Sequence, residues 1–401
     1  MKSCLLKFVC QHSYKIGLFI WVTLMGCYSG NEAQLPPPSH IPLSARYQLA
    51  GVAVTTDTIK LPIDSLTESK FSCFNFKQLG TQSVFAFFDK NTFLLNIYDL
   101  HRKECIKRLN IKEIAKDYRP LLRTKVYFKS YDSIYVYSNM NLYRIDTNGT
   151  VKDSIGLLFD PYRASSSFQN TSPPVFVDNQ LVLPASPTLD CTNKGDLQKW
   201  RLVYRIEWNI SKASLLYKLP EWSLDSMYDK QFLAPSYCYN PLSKQFVFSF
   251  APDSNIYVTD LVKTHYSYSC RSQGVSKNMP SFTLEDIKDG ESSYKAFLKR
   301  DSYGPVYFDP YMKRYLRVAE KKINGLEYSD KQLIKEHSIL IMDSSFRVIG
   351  ESIVDKNINL YSLIFTPNGM YARADSTRSE DTIYLVKLDY EDLADKVLTK
   401  K

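Results

Sequence analysis

Residues 131–157 read YDSIYVYSNMNLYRIDTNGTVKDSIGL, three short segments rich in Tyr, Val and Ile that are separated by two turns. Such residues favour a pleated, half-buried surface, so strands are predicted at 133–138, 142–146 and 150–155. The first turn lies at 139–141 and the second at 147–149, where Gly149 accepts a positive φ without steric cost. The stretch therefore predicts an antiparallel β-meander.

Variants of this unit recur along the chain, each with an apolar-aromatic strand that ends at or near an acid. The six segments are 96–99, 142–146, 202–207, 255–260, 338–343 and 382–389. Their first residues are 46, 60, 53, 83 and 44 positions apart, and propeller repeats of four strands span roughly 40–50 residues before insertions. The pattern predicts an all-β propeller of antiparallel four-stranded blades, with six blades expected and seven as the alternative. A large β-sandwich fits the repetition and the total length less well.

Two further expectations concern the two ends of the domain and the widest gap between the repeated segments, which lies between 255–260 and 338–343. An unclosed propeller would leave exposed strand edges, so residues 47–60 are expected to pair with the last strands near 382–389. Residues 282–300 carry apolar residues at helical spacing, broken at Asp289-Gly290. They predict a loop-helix excursion over one face.

The first 26 residues resemble a targeting segment. Three lysines and no acid precede or flank an apolar run at 16–26, which is too short to span a bilayer as a helix. The run ends in Leu24-Met25-Gly26-Cys27, which resembles a bacterial lipobox, although Met25 is less usual at its position. We predict a lipoprotein signal peptide at 1–26 and acylation of Cys27. An ordinary signal peptide with an incidental Cys is the alternative.

Residues 27–45 include Leu35-Pro36-Pro37-Pro38 and Ile41-Pro42. Consecutive prolines favour an extended polyproline segment. The prediction is a Pro-rich tether at 27–45 that holds a β-propeller domain, 46–401, on a membrane through the lipid. A merely disordered N-terminus is the alternative. The expected location is the cell envelope, as an outer-membrane lipoprotein, with the periplasmic and the surface-facing leaflet both left open.

Charge and composition exclude several classes of function. The formal net charge of +9 falls to +6 once the three leader lysines are removed, and the remaining basic residues usually have acids nearby. No nucleic-acid partner is therefore expected. With 29 Tyr, 22 Phe and only 14 Gly, the composition favours strands over glycine-rich phosphate loops.

Sites for metals and for catalysis are also missing from the sequence. The five His are isolated, and Asp355-x-Asn357-x-Asn359 begins like a calcium loop but lacks its Gly and its final Glu. No nucleophile, phosphate-binding or dinucleotide motif occurs. We therefore predict no catalytic residue, no metal and no cofactor. Of the eight Cys, five lie beyond Cys27 at wide spacings, which indicates small buried side chains and leaves room for one bridge.

One triplet, Asp followed by Ser or Thr and an aliphatic residue, is over-represented. It resembles the O-glycosylation acceptor of exported Bacteroidetes proteins, although a turn entering a strand has the same pattern. The candidate acceptors are Thr58, Ser65, Ser133, Ser154, Ser226 and Thr382.

Together with the lipobox, three sequence features resemble one family: the meander at 131–157, the strands at 248–258 and the segment GPVYFDPY at 304–311. That family is the Bacteroidetes lipoproteins that share domain of unknown function 4221, and the resemblance covers about residues 45–390. It implies a propeller-like fold and an envelope location, and it carries over no catalytic residue.

The expected protein is a lipid-anchored envelope module that binds a glycan, a peptide or another envelope protein. A ligand is expected at the mouth of the propeller channel, where loops of every blade converge. The alternative is an envelope glycan hydrolase or lyase with its active site in that channel. Clustered carboxylates in the channel would favour the enzyme, and a lining of Tyr, Ser and Asn would favour binding.

Overall fold

The computed structural model describes residues 35–68, 71, 73–112, 124–157, 162–323, 333–374 and 381–393. One compact unit spans Pro37–Lys401. Its described part is built almost wholly of β-strands arranged as four-stranded antiparallel meanders, so the predicted all-β, propeller-like architecture is confirmed. Two strands precede the first meander, and they are β1 (Ser39–Ile41) and β2 (Ala50–Pro62).

The meanders are named A to F in chain order. Meander A comprises β3 (Cys73–Leu79), β4 (Gln82–Asp89), β5 (Leu94–Asp99) and β6 (Glu104–Asn110). Meander B comprises β7 (Lys125–Ser130), β8 (Ser133–Ser138), β9 (Asn141–Ile145) and β10 (Val151–Gly156). A short pair, β11 (Ala164–Ser165) and β14 (Ser186–Pro187), flanks meander C. Meander C comprises β12 (Val175–Val177), β13 (Gln180–Pro184), β15 (Arg201–Glu207) and β16 (Lys212–Lys218).

Meander D comprises β17 (Ser236–Asn240), β18 (Gln245–Ser249), β19 (Asn255–Thr259) and β20 (His265–Ser269). Meander E comprises β21 (Ser302–Asp309), β22 (Arg314–Lys321), β23 (Glu336–Met342) and β24 (Val348–Val354). Meander F comprises β25 (Ile358–Thr366), β26 (Gly369–Ala374), β27 (Thr382–Asp392) and β2. The described helices are α1 (Lys194–Lys199), α2 (Lys230–Leu233) and α3 (Gly290–Leu298), with 3-10 turns at Trp208–Ile210 and Glu221–Asp225.

The hydrogen-bonded sheets do not all coincide with single meanders. A, B and C are four-stranded sheets, D carries β1 as a fifth strand, and E and F are joined into an eight-stranded sheet. The junction of E and F is a single parallel pairing between Ala50 and Gly350.

The predicted ring closure is confirmed. β2 pairs antiparallel with β27 from Ala50 opposite Asp392 to Pro62 opposite Thr382. The N-terminal part of the domain thus supplies the outer strand of the C-terminal meander. This pairing covers an edge that would otherwise be open.

From β1 to β2 the chain contacts three meanders in turn. β1 pairs parallel with β20 of meander D, so residues 39–41, placed in the predicted tether, belong to the folded unit. The backbone N–H groups of Arg46 and Leu49 donate to the carbonyls of Val348 and Ile349 on β24. The chain then enters meander F as β2.

The core lies between neighbouring meanders, as in a propeller. Separate clusters of buried side chains join A to B, B to C, D to E, E to F, and F back to A. Meanders C and D meet through Tyr217, whose ring lies 4.4 Å from that of Phe248 and whose hydroxyl lies 3.0 Å from His265. The inner strands, such as β4 and β8, are buried and consist largely of apolar and aromatic residues, whereas outer strands such as β6 and β10 are mostly polar and exposed or half-buried.

The repeated signature of the sequence has a structural cause. Each of the six predicted segments lies in the third strand of its meander. Four of the acids, Asp99, Asp146, Asp260 and Asp343, accept backbone N–H groups two to four residues further on and so close the following turn. These carboxylates are turn-forming groups, not a dispersed active site.

Several local predictions are also confirmed. The strand at 133–138 has the predicted bounds, and the next two are shifted by one residue at each end. Gly149 adopts φ 79°. The excursion at 282–300 contains α3, which begins after Asp289, and the Asp289 carboxylate accepts the N–H of Ser292 at 2.7 Å. No helix among the described residues has the length and hydropathy needed to cross a bilayer.

Candidate functional site

A cavity of about 510 Å³, here called the mouth, opens where the first strands of all six meanders converge. Its lining comes from β3, β7, β12, β17, β21, β25 and the residues that adjoin them. The volume is within the range of small-molecule sites, roughly 300–1,000 Å³.

Aromatic rings and prolines dominate the wall of the mouth. The rings are Phe76, Tyr127, Phe176, Tyr237, Tyr239, Tyr307, Phe308, Tyr311 and Phe365, and the prolines are Pro173, Pro174, Pro241 and Pro310. Phe76, Phe176, Tyr239 and Phe365 are half-buried and Tyr311 is 43% exposed, so their rings are accessible. The hydroxyls of Tyr237 and Tyr307 are occupied by the carbonyls of Pro173 and Leu360.

The polar groups of the wall are amides and one ammonium. Asn75 bridges meanders A and B by exchanging two hydrogen bonds with the backbone of Phe128, at 2.6 and 3.2 Å. Gln78 pairs with its own hairpin. Lys77 is the one charged residue among the described residues that line the mouth, and no Asp, Glu or His is among them.

The nearest acids have other roles. Asp309 ends β21 and is 3% exposed; its carboxylate accepts the N–H groups of Tyr311 and Met312 and the hydroxyl of Tyr390. Asp178 lies at the exposed tip of a hairpin. The pKa of Tyr239 is raised mainly by burial and to a smaller extent by the negative charge of Asp178. Neither carboxylate has the paired, channel-facing geometry that glycoside hydrolysis requires.

Two lysines stand on the aromatic wall. The Lys77 Nζ lies 5.0 Å from the centre of the Tyr127 ring, and the Lys129 Nζ lies 3.8 Å from that of Phe176. These two rings are 6.3 Å apart. Lys77 lines the mouth, and Lys129, which is outside the lining, lies beside it over the ring of Phe176. The pKa of Lys129 is lowered, first by burial and then by the positive charges of Lys77 and Arg144.

A smaller cavity, about 180 Å³, lies at the other ends of the first strands. Its lining comprises Phe71, Phe74, Gln169, Asn170, Thr171, Asn359, Tyr361, Ser362 and Arg373. Asn170 lines both cavities, and its side-chain amide donates to the carbonyls of Tyr361 and Leu363 on β25 at 3.2 and 3.0 Å. This residue separates the two cavities.

The residues singled out from the sequence lie away from the mouth. Cys27 is outside the described residues. Thr58 and Thr382 are half-buried on β2 and β27, Ser133 is half-buried at the start of β8, and Ser226 is half-buried after a 3-10 turn. Ser65, in a turn, and Ser154, on β10, are exposed. The structure thus brings none of the six acceptor candidates into the cavity and buries none of them.

The residues that the structure describes form no metal-binding cluster and no disulfide. No group of three or more His, Cys, Asp and Glu residues is placed to hold an ion. Of the five described cysteines, three are buried: Cys73, Cys238 and Cys270. Burial raises the pKa of Cys270 to about 11, so this thiol is a packing group.

Sequence reasoning placed a site at the channel but named no residue of it. Lys77, Lys129 and Phe176 come from three meanders and share no motif. Asn170 lies in an irregular segment without periodicity. The alternation of aromatic and polar residues in first strands such as β3 is a signal that could have indicated a channel wall.

Comparison with known proteins supports the fold. The family model described as "Domain of unknown function (DUF4221)" matches residues 76–353, more than half of the chain. A crystal structure of a DUF4221 family member from Bacteroides vulgatus has a TM-score of 0.72 at 16% identity and covers 86% of this chain and 100% of that chain. Among curated proteins, no sequence matches.

A second solved structure, a putative exported protein from Bacteroides fragilis, has a TM-score of 0.53 at 12% identity. The match covers 88% of this chain and 100% of that chain. At these identities the likeness shows the fold alone.

Proposed function

Since the chain belongs to the DUF4221 family, whose shared domain is one of unknown function, we propose a role from the mouth itself: a lipid-anchored cell-envelope protein that binds a ligand there. The observation that carries the proposal is the composition of the wall, in which accessible rings surround an opening of about 510 Å³. Aromatic and apolar walls with a few placed polar groups are typical of small-ligand sites.

Catalysis at the mouth is the weaker proposal. An envelope glycan hydrolase or lyase needs a pair of carboxylates or an equivalent acid and base beside the bond to be cleaved. The described lining offers amides, phenols and one ammonium instead. We therefore favour binding over turnover.

We also propose that the ring has six blades. Meanders E and F count as separate blades because a single parallel pairing joins their outer strands, whereas long antiparallel ladders run within each. The mouth supports this count, since one first strand from each of the six meanders contributes to its wall.

Anchoring through Cys27 remains a proposal from the sequence, with 1–26 as its signal peptide. In the described residues, β1 lies at the outer edge of meander D, beside β20. Mass spectrometry of the mature N-terminus tests the anchor. A Cys27→Ala variant should lose the acyl mass and leave the membrane fraction, whereas Cys10→Ala should change neither; a wild-type chain without lipid overturns the anchor.

O-glycosylation of the six acceptor candidates is likewise proposed. None of them is buried, and Ser65 and Ser154 are exposed, which supports access of a transferase to these two in particular. The test is peptide mapping of the exported protein for hexose masses on these six residues, and unmodified peptides throughout would overturn the proposal.

The experiment for the binding proposal is a thermal-shift screen of the mature chain against glycans and peptides. A ligand at a hundred times its Kd adds about 2.7 kcal/mol, which is several degrees in Tm. Tyr311→Ala removes an exposed ring of the mouth and should abolish the shift. Tyr294→Ala is the matched control, because Tyr294 is similarly exposed on α3 and does not line the mouth. A panel without any hit, or equal shifts in both variants, overturns a binding site at the mouth.

A further inference from the structure

The two lysines at the mouth lack the partners that surface lysines usually have. Among the described residues, neither Lys77 nor Lys129 forms an ion pair, although ion pairs occur elsewhere on meander B at Arg144–Asp153 and Lys152–Asp146. The charges that act on Lys129 are those of Lys77 and Arg144, and both are positive. The site therefore holds an uncompensated pair of cations.

Holding two ammonium groups on one aromatic wall has an electrostatic cost. Each ammonium is partly satisfied by the face of a ring, Tyr127 for Lys77 and Phe176 for Lys129. Their mutual repulsion is not relieved by any described carboxylate. A ligand that brings one negative charge between them would relieve it, and partial burial would make that interaction stronger than at an open surface.

The remaining groups of the mouth indicate what carries this charge. Tyr127, Tyr239 and Tyr311 line the cavity, and no described residue accepts from or donates to their hydroxyls. A ligand rich in hydroxyl groups pairs with three such phenols, whereas an aromatic acid would leave them unpaired. The half-buried ring of Phe76 suits the apolar face of a sugar ring.

From these contacts we propose that the mouth binds an acidic oligosaccharide, with a uronic acid carboxylate placed between Lys77 and Lys129 and a sugar face on Phe76. This inference rests on the proposed binding function and names its ligand class. The two ammonium groups would recognise the carboxylate of the ligand, and the aromatic rings and phenol hydroxyls would recognise its sugar rings.

The test is isothermal titration of the mature chain with short oligosaccharides of galacturonic, glucuronic and mannuronic acid and with the neutral oligosaccharides of the same linkage. Binding of at least one acidic oligosaccharide is expected, with its neutral parent about tenfold weaker or more. The Lys77→Gln/Lys129→Gln double variant should lose this preference and bind both forms alike. Lys212→Gln changes an exposed lysine on β16 that neither lines the mouth nor is recorded over one of its rings, and it should keep the preference.

The outcomes separate the inference from the proposed function. If the wild type binds acidic and neutral oligosaccharides equally, the acidic ligand class is wrong, although the mouth is still a binding site. The same conclusion follows if the wild type and the double variant bind acidic oligosaccharides equally. If only peptides bind, and their thermal shift is lost in Tyr311→Ala, the ligand class is again wrong and the binding site at the mouth stands. No binding by any member of the panel overturns both. Unchanged circular dichroism and Tm of the unliganded double variant exclude misfolding as the cause of a loss.

Discussion

Gly350 and Ala50 approach each other so closely that a methyl group on Gly350 would overlap the carbonyl oxygen of Ala50. This contact is the junction between meanders E and F, where the N-terminal strand β2 meets β24. The close approach of β2 to β24 thus depends on a residue that has no side chain.

Replacing Gly350 by Ala should therefore destabilise the protein by about 2 kcal/mol or more, because backbone must move to admit the methyl group. Equilibrium unfolding in urea measures the change. Gly156→Ala is the control, since its added methyl would meet only the Asn141 side chain at 3.7 Å. Equal stability of the two variants would show that β2 and β24 are not held this closely.

Arg317 is fully buried on β22 and reaches the loop between β18 and β19. Its guanidinium donates to Ser249 Oγ and to the carbonyls of Phe250, Asp253, Ser254 and Cys270, at distances of 2.6–3.4 Å. The ring of Tyr303 lies 4.2 Å away. No carboxylate among the described residues forms an ion pair with it, so this cation joins meanders D and E through backbone acceptors.

Arg317→Met should lower the free energy of unfolding by about 3–5 kcal/mol, because several buried carbonyls lose their donor together. Arg317→Lys should recover only part of this loss, since one ammonium cannot reproduce the planar fork. Urea unfolding checks the order of the variants. The control, Arg102→Met, removes an exposed ion pair and should cost about 0–1 kcal/mol. A Lys variant as stable as wild type would contradict the account.

Lys335 is 5% exposed, and its ammonium lies 2.8 Å from Ser302 Oγ and 3.5 Å from the centre of the Phe297 ring. Burial lowers its pKa to about 8, against the smaller opposing effects of Glu320 and Asp301. Between this value and the ordinary lysine pKa, about 10.4, the unfolded chain binds more protons than the folded one. Lys335 therefore makes stability rise with pH across this window.

The measurement is the free energy of unfolding of wild type minus that of Lys335→Met, from pH 7 to 10. The difference should be flat below pH 8 and then grow by up to about 1.4 kcal/mol per pH unit. Taking the difference removes the contribution of buried thiols and tyrosines, whose raised pKa acts in the opposite direction. Lys321→Met, on the exposed part of β22, should give no slope. A flat difference for Lys335 up to pH 10 would contradict a lowered pKa.

The meanders and the pairing of the N-terminal strand with the last strands could be predicted from the sequence, whereas the residues of the candidate site could not. Local features determine the stretch at 131–157: β-branched and aromatic residues form the strands, and Gly149 permits the turn. The Ala50–Gly350 contact joins residues 300 positions apart and has no local signature. The same holds for Lys77 and Lys129, which become neighbours only because two first strands lie side by side. The repeated acids were visible, and only the structure shows that most of them close turns.

Asn170 separates the two cavities by donating to two carbonyls of β25, so its replacement by Asp makes a sharp test. An ionised carboxylate at this position would place oxygens against oxygens and lose both hydrogen bonds, which should cost about 1–3 kcal/mol at pH 7. Protonation restores one donor, so the introduced carboxyl should have a raised pKa, and the deficit relative to wild type should shrink as the pH falls through that value. Urea unfolding of both proteins at pH 7, 5 and 4 measures it. Asn179→Asp, at the exposed tip of the β12–β13 hairpin, should show neither the deficit nor the pH dependence. A deficit in Asn170→Asp that is the same at all three pH values would contradict the hydrogen bonds from this side chain to the carbonyls of β25.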